Sequence, residues 1–267
     1  MEPITRPNGQ PYLPRKVGDV YDVELLREAR RQEIPVLLAG PPGSGKTACI
    51  EAAFGEELVT ITCHEETEGS DFTGNWIENE DRSVSFVYGG MIDAMRNGQP
   101  YLVDDITLTD PRALAVLYPA MDGRKEVCVT SHRGETVAAE AGFFVVGCHN
   151  PGVKGAILTE ALSSRFLLQI NVETDFDIAR KLEVPETVIR IANNMQKKKD
   201  EEKITFVPQM REMLGFVKIA SSFSETMAVN NMFGLVPELE REIVRNDFGS
   251  VFGFDPAPLC FNTKSKK

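Results

Sequence analysis

The chain has 267 residues and a formal net charge of −11, from 40 acidic against 29 basic side chains. Its apolar share of 42% can fill one large core, or one core and a small companion. The acidic balance opposes general affinity for nucleic acid or an anionic membrane, because both depend on excess lysine and arginine.

No apolar run approaches the ~18 residues that a bilayer span needs. The proline-rich opening MEPITRPNGQPYLPR has no apolar centre, so neither a membrane segment nor a secretory leader is expected. The five cysteines are odd in number and form no C-x-x-C pair, which reads as reduced thiols of a cytoplasmic protein. Cys63–His64 and Cys148–His149 raise the question of zinc. Each cysteine ends an apolar run and the four-ligand spacing is missing, so core packing is the expectation.

Along the chain, residues 1–20 read as an irregular lead-in and 22–31 as a helix. Residues 35–39 (PVLLA) form a short continuous apolar run ending in glycine, the pattern of a buried parallel strand. A helix is expected over 47–54, a second strand over 58–63 and a polar, irregular stretch over 64–88 whose end, 83–88, is a hairpin arm. A helix over 89–97 and a third strand over 101–103 follow. Asp110–Pro111 then supplies an N-cap and a first-turn proline for a helix to about 121. Residues 126–130 and 135–138 read as a second hairpin, 143–148 as a fourth strand, 159–164 as a short helix and 166–170 as a fifth strand. Beyond a boundary at 171–174 the pattern turns helical, over 175–182, 186–197 and 209–221, with KKKDEEK at 197–203 as a solvated turn. Alternating strands and helices imply a parallel sheet. The predicted organisation is a lead-in (1–20), an α/β domain (21–172) and a helical segment (173–267).

Residues 40–47 read GPPGSGKT, matching G-x-x-x-x-G-K-[ST] between a strand and a helix. The chemistry explains the spacing. Gly43 and Gly45 let backbone N–H groups turn inward around phosphate oxygens, and the following helix aims its N-terminus at the same anion. Lys46 would reach the β- and γ-phosphates and Thr47 would place its hydroxyl on Mg²⁺. The nucleotide-binding set is Gly40, Pro41, Pro42, Gly43, Ser44, Gly45, Lys46, Thr47 and Ala48. Hydrolysis needs a second metal anchor and a group that orients water. YLVDD at 101–105 offers Asp104 at a strand end for the metal and Asp105, one residue on, for the water. A carboxylate that only tunes Asp104 is the alternative for Asp105.

Taken together, GPPGSGKT, YLVDD, FFVVGCHNP and LTEALSSRF, in that order, resemble the AAA+ ATPases, and within them the MoxR group with its CbbQ/NorQ-like members. The likeness covers roughly residues 30–220. It implies a P-loop fold with a five-stranded parallel sheet followed by a small α-helical lid. It further implies ATP and Mg²⁺ as cofactors and a homo-oligomer, usually a hexameric ring with ATP between subunits. Asn150 becomes the sensor of the γ-phosphate, where the residues alone also allow a turn-forming Asn before Pro151. Arg165 becomes the finger that reaches a neighbour's ATP, against a surface ion pair. Arg211 resembles the sensor arginine of a lid. The stretches 64–88 and 125–137 fall where such proteins carry hairpins facing a pore or a partner. Trp76, Phe86 and Tyr88 could grip a peptide there or simply pack locally. The family usually has Asp-Glu where this chain has Asp104–Asp105, which puts the hydrolysis rate in question, and residues 225–267 match nothing in it. The expected activity is an ATP-driven chaperone acting on a protein client or a von Willebrand A-domain partner. The alternatives are a nucleic-acid motor, for which Arg124, Lys125 and Arg133 speak, and a slowly hydrolysing scaffold.

Overall fold

The apolar runs between residues 35 and 171 meet in one sheet. The chain opens with two hairpins of two-residue strands, β1 (Ile4–Thr5) with β2 (Pro11–Tyr12) and β3 (Lys16–Val17) with β4 (Val20–Tyr21), and then α1 (Asp22–Arg31). There follow β5 (Val36–Ala39), α2 (Lys46–Phe54), β6 (Val59–Thr62), α3 (Gly69–Thr73), β7 (Gly74–Glu78), β8 (Val84–Tyr88), α4 (Gly90–Asn97) and β9 (Pro100–Asp104). Next come α5 (Tyr118–Met121), β10 (Glu126–Val129), β11 (Glu135–Ala138), β12 (Phe144–His149), α6 (Glu160–Ser163) and β13 (Leu168–Asn171). The structure, a computed structural model, describes residues 1–153 and 155–260.

The sheet runs β13-β5-β12-β9-β6, and every neighbouring pair is parallel. Its middle strands are buried on both faces, which is why they read as unbroken apolar runs. Alternation sorts their side chains into two layers. Leu37, Val103 and Val145 join Phe72, Met91, Leu117 and Phe166 on one face. Val36, Leu38, Leu102, Phe144, Val146 and Cys148 join Val23, Leu26, Ile50 and Phe54 on the other. Gly147 sits mid-strand because a Cβ there would meet the Phe166 ring at 2.9 Å.

The chain divides into two compact units. One holds Met1–Pro41 and Lys46–Glu173, the other Pro42–Gly45 and the chain from Thr174 onward. The second unit is helical: α7 (Phe176–Lys181), α8 (Glu186–Asp200), α9 (Met210–Ser222), α10 (Glu225–Leu235) and α11 (Arg241–Phe252). Val188, Ile191, Ala192 and Met195 make the apolar stripe of α8. They share a core with Phe216, Phe233 and Phe248. The parallel sheet and these C-terminal helices are the expected fold class.

Several elements differ from expectation. The lead-in holds the two hairpins and buries Tyr12. The polar stretch contains α3, stabilised by a capping box between Glu68 and Asp71. The helix expected from Asp110 to 121 is instead a 3₁₀ segment, Ala113–Leu117, followed by the short α5. Pro119 is the reason, since it has no N–H to donate and its ring crowds the carbonyl four residues back. The expected turn at 197 comes later, because α8 continues to Asp200. Lys197, Lys198 and Lys199 suit a helix C-terminus, and Lys198 pairs with Asp247 at 2.6 Å. Residues 225–260 supply α10 and α11, whereas 261–267 of the expected helical segment lie outside the described residues.

Candidate functional site

The strand order places the candidate residues. β12 lies between β5, which leads into the GPPGSGKT loop, and β9, which ends at Asp104. A residue just past β12 therefore stands between that loop and the acidic pair, at the carboxyl ends of the strands where open α/β sheets hold ligands. Asn150 is that residue.

Lys46 is the first residue of α2 and is only 6% exposed. Burying an ammonium costs heavily unless oxygens surround it. Its Nζ donates to the Gly40 carbonyl at 2.9 Å, the Pro41 carbonyl at 3.0 Å and Asn150 Oδ1 at 2.7 Å. The Asn150 amide continues the chain, with Nδ2 donating to Asp105 Oδ1 at 2.7 Å. Beside it, the Thr47 hydroxyl donates to Asp104 Oδ2 at 3.0 Å. The sequence reading brought five side chains to this place, and the structure joins them: Lys46–Asn150–Asp105 as one string and Thr47–Asp104 as a second.

Burial pushes the Asp104 carboxyl above its ordinary range. The Thr47 hydrogen bond opposes this, the charge of Asp105 adds to it and the charge of Lys46 again opposes it. Asp105 itself has φ 51° and ψ 38°, left-handed backbone that aspartate tolerates better than most residues but at a cost. Such strain gathers at functional sites because the turn aims the side chain. In the sequence His149 stands out only as half of a Cys-His pair. It is buried, with Nδ1 lacking a hydrogen-bond partner among the described residues. Burial, and then the charge of Lys46, hold its pKa below the usual imidazole value, so it stays neutral next to the lysine.

The donors fit a magnesium nucleotide. Gly43 and Gly45 have φ of 81° and 90°, the left-handed geometry that turns successive N–H groups toward an anion. A hydroxyl and a carboxylate are the hard oxygen donors magnesium prefers. Among the described residues no group of three or more His, Cys, Asp or Glu is placed to hold a metal by itself.

Two candidates are not members of these two hydrogen-bonded strings. Arg165 stacks on Tyr118, its guanidinium carbon 4.2 Å from the ring centroid. Arg211 belongs to the second unit, where its backbone N–H donates to the Gly43 carbonyl at 3.3 Å. A Cβ at Gly43 would meet the Arg211 Cβ at 3.0 Å. The two expected hairpins form as β7–β8 and β10–β11 and are stapled together. Phe86 stacks on His132 at 4.6 Å, and the Tyr88 hydroxyl lies 3.0 Å from His132 Nδ1 and donates to Glu135 at 2.5 Å. Trp76 Nε1 donates to the Ser131 carbonyl at 2.9 Å. Phe86 and Tyr88 are thus engaged in packing, while Trp76 remains 48% exposed. Arg124 pairs with Asp122, and Lys125 with Glu33. No helix among the described residues is long and apolar enough to cross a membrane.

Comparison with known proteins agrees with the geometry. Residues 35–166 match the family described as AAA domain (dynein-related subfamily). Protein NorQ of Paracoccus denitrificans is 31% identical over 179 residues, 65% of this chain and 63% of NorQ. Protein CbbQ of Hydrogenophilus thermoluteolus is 28% identical over 151 residues, 55% of either chain. The match therefore spans less than two thirds of the length of these curated relatives. A solved structure from Cytophaga hutchinsonii overlays 87% of this chain and 84% of its own, with a TM-score of 0.48 and 16% identity.

Proposed function

Because residues 35–166 belong to the AAA+ ATPases, in the MoxR group with NorQ and CbbQ, we propose that this chain binds and hydrolyses ATP with Mg²⁺, as a ring motor that remodels or activates a protein partner. The observation that carries the proposal is the string Lys46–Asn150–Asp105 beside the Thr47–Asp104 pair. It joins an ammonium and a hydroxyl at the start of α2 to an amide and two carboxylates at the ends of β12 and β9, the groups that phosphate, metal and water would need, and so supports those roles.

In this reading Lys46 binds the β- and γ-phosphates, and residues 40–48 wrap them with backbone N–H groups. Thr47 and Asp104 would hold Mg²⁺, which, when bound, neutralises charge on the phosphate oxygens. Asp105 orients the attacking water and accepts its proton. Asn150 bonds Lys46 and Asp105 and reads the γ-phosphate. Arg165 serves a neighbouring subunit's nucleotide, and Arg211 serves from residues 173–267, which act as a lid. The protein partner, a client or a von Willebrand A-domain protein, follows from the MoxR likeness. Weighing light scattering with and without Mg-ATP tests the ring. A rise from the 29.6 kDa chain to a multiple of it supports the proposal, and an unchanged mass at saturating nucleotide removes the ring.

A second reading, a scaffold that turns over slowly, draws on Asp105. Its carboxyl is one methylene shorter than glutamate and already accepts from Asn150. A nucleic-acid motor is less favoured, because Arg124 and Lys125 are paired with acids of the same chain.

A further inference from the structure

Arg165 follows α6 in the LTEALSSRF motif and is held from two sides. Phe166, the next residue, is 2% exposed and seats against Gly147, which fixes the backbone. The guanidinium lies over the face of Tyr118 at 4.2 Å, and its Nη1 donates to the Ala161 carbonyl at 2.5 Å. Its Nε is buried without a hydrogen-bond partner among the described residues. Of the five N–H donors an arginine carries, one has an acceptor among the described residues, the Ala161 carbonyl, which leaves donors of the fork for a ligand.

Tyr118 is itself anchored. It starts α5, directly before Pro119, and its ring packs against the core of the first unit. Its hydroxyl lies 3.5 Å from Thr159 Oγ1, and Thr159 caps the N-terminus of α6. The platform and the arginine are 47 positions apart in sequence, and the fold brings them face to face.

We propose that Tyr118 is a positioning residue for Arg165: its ring face holds the guanidinium plane in one orientation so that the free edge is presented to a phosphate on a neighbouring copy. The inference rests on the reading of Arg165 as a finger acting between subunits. A long, flexible side chain loses rotamer entropy whenever it acts, and stacking on an aromatic face spends that entropy before the nucleotide arrives. The contact is electrostatic, between cation and ring quadrupole, so the ring matters and the hydroxyl does not.

The experiment measures ATP turnover and KM for Arg165→Ala, Tyr118→Leu, Tyr118→Phe and the double variant Tyr118→Leu/Arg165→Ala. With a cation–π contact of ordinary strength, Tyr118→Leu should lower kcat about 3- to 10-fold at unchanged KM. Tyr118→Phe should match the parent, and the double variant should be no slower than Arg165→Ala alone. If Arg165→Ala keeps full turnover, the finger reading fails and the positioning role falls with it. If Arg165→Ala loses turnover while Tyr118→Leu keeps it, or the two losses multiply, only the positioning role is overturned. Should Tyr118→Leu not fold, phenylalanines of increasing fluorination at position 118 keep the shape and weaken the ring's negative face. Turnover that falls with fluorination supports the role, and turnover indifferent to it refutes it.

Discussion

Asp104 must stay ionised where burial opposes it, and this gives the replacement Asp104→Asn two opposite effects. The amide keeps the size and retains an acceptor for the Thr47 hydroxyl, now at 3.0 Å. It removes a charge that lies beside Asp105 in a partly buried place. The sign follows from the direction of the shift. A carboxyl whose folded pKa lies above its ordinary value of 3.8 favours the fold only below that value, and loses this contribution as pH rises through the folded pKa. At pH 7 the carboxylate therefore lowers stability, and the asparagine variant should be more stable. Relief of charge strain at a functional site commonly amounts to about 0.5–2 kcal/mol, and each kcal/mol is worth roughly 2–4 °C in Tm for a unit of this size. The gain should shrink as pH approaches 4. Added Mg-ATP should reverse the ranking. At one hundred times Kd a ligand stabilises its protein by about 2.7 kcal/mol, and the variant, without its metal anchor, should show little of that. Thermal unfolding followed by circular dichroism at pH 7 and pH 4.5, with and without Mg-ATP, reads both effects. An asparagine variant less stable than the parent at pH 7 without nucleotide, or one with the parent's full response to Mg-ATP, would refute the reasoning.

Three further outcomes follow from the same geometry. Asp105→Glu should raise turnover about tenfold, a modest share of what a well-placed base supplies; steady-state phosphate release at or below the parent's would end the argument from reach. Asp105→Gly should stabilise the protein by about 1 kcal/mol, by relieving left-handed backbone at φ 51°, while abolishing turnover. A lowered urea midpoint would contradict that account of the turn. Gly147→Ala should destabilise by about 1–3 kcal/mol, because the added methyl lands 2.9 Å from Phe166 and the ring must shift; an unchanged midpoint would mean the sheet face has more room than its packing shows.

The phosphate loop, the five strands and the acidic pair were legible because their signals are local. GPPGSGKT follows a four-residue strand whose first three residues are buried, and FVVGCH, with every residue buried, could hardly be anything but a central strand. The meeting of Lys46, Asn150 and Asp105 was legible only in part. Each is marked by its own motif, yet the hydrogen bonds between them depend on β12 entering the sheet between β5 and β9. Local signals also misled. Asp110–Pro111 has the form of a helix start, but Pro119, two turns later, breaks the ladder that start would build. The lysines at 197–199 look like loop residues in composition, and α8 keeps them because one of them reaches Asp247, 49 positions away. The stacking of Arg165 on Tyr118 and of Phe86 on His132 has no trace in either segment alone, since each pair is made by distant parts of the chain. Helix α10 went unread because exposed Met227 and Leu235 blur the stripe made by Ala228, Val229, Met232 and Phe233.

The central claim is that the strand-end cluster around Lys46 handles a magnesium nucleotide. The most direct measurement is phosphate release from Mg-ATP by the parent chain and by Lys46→Ala, at equal concentration and with ATP up to the millimolar range. The parent should release phosphate and Lys46→Ala should not rise above the protein-free blank. Equal release by the two proteins would contradict the account.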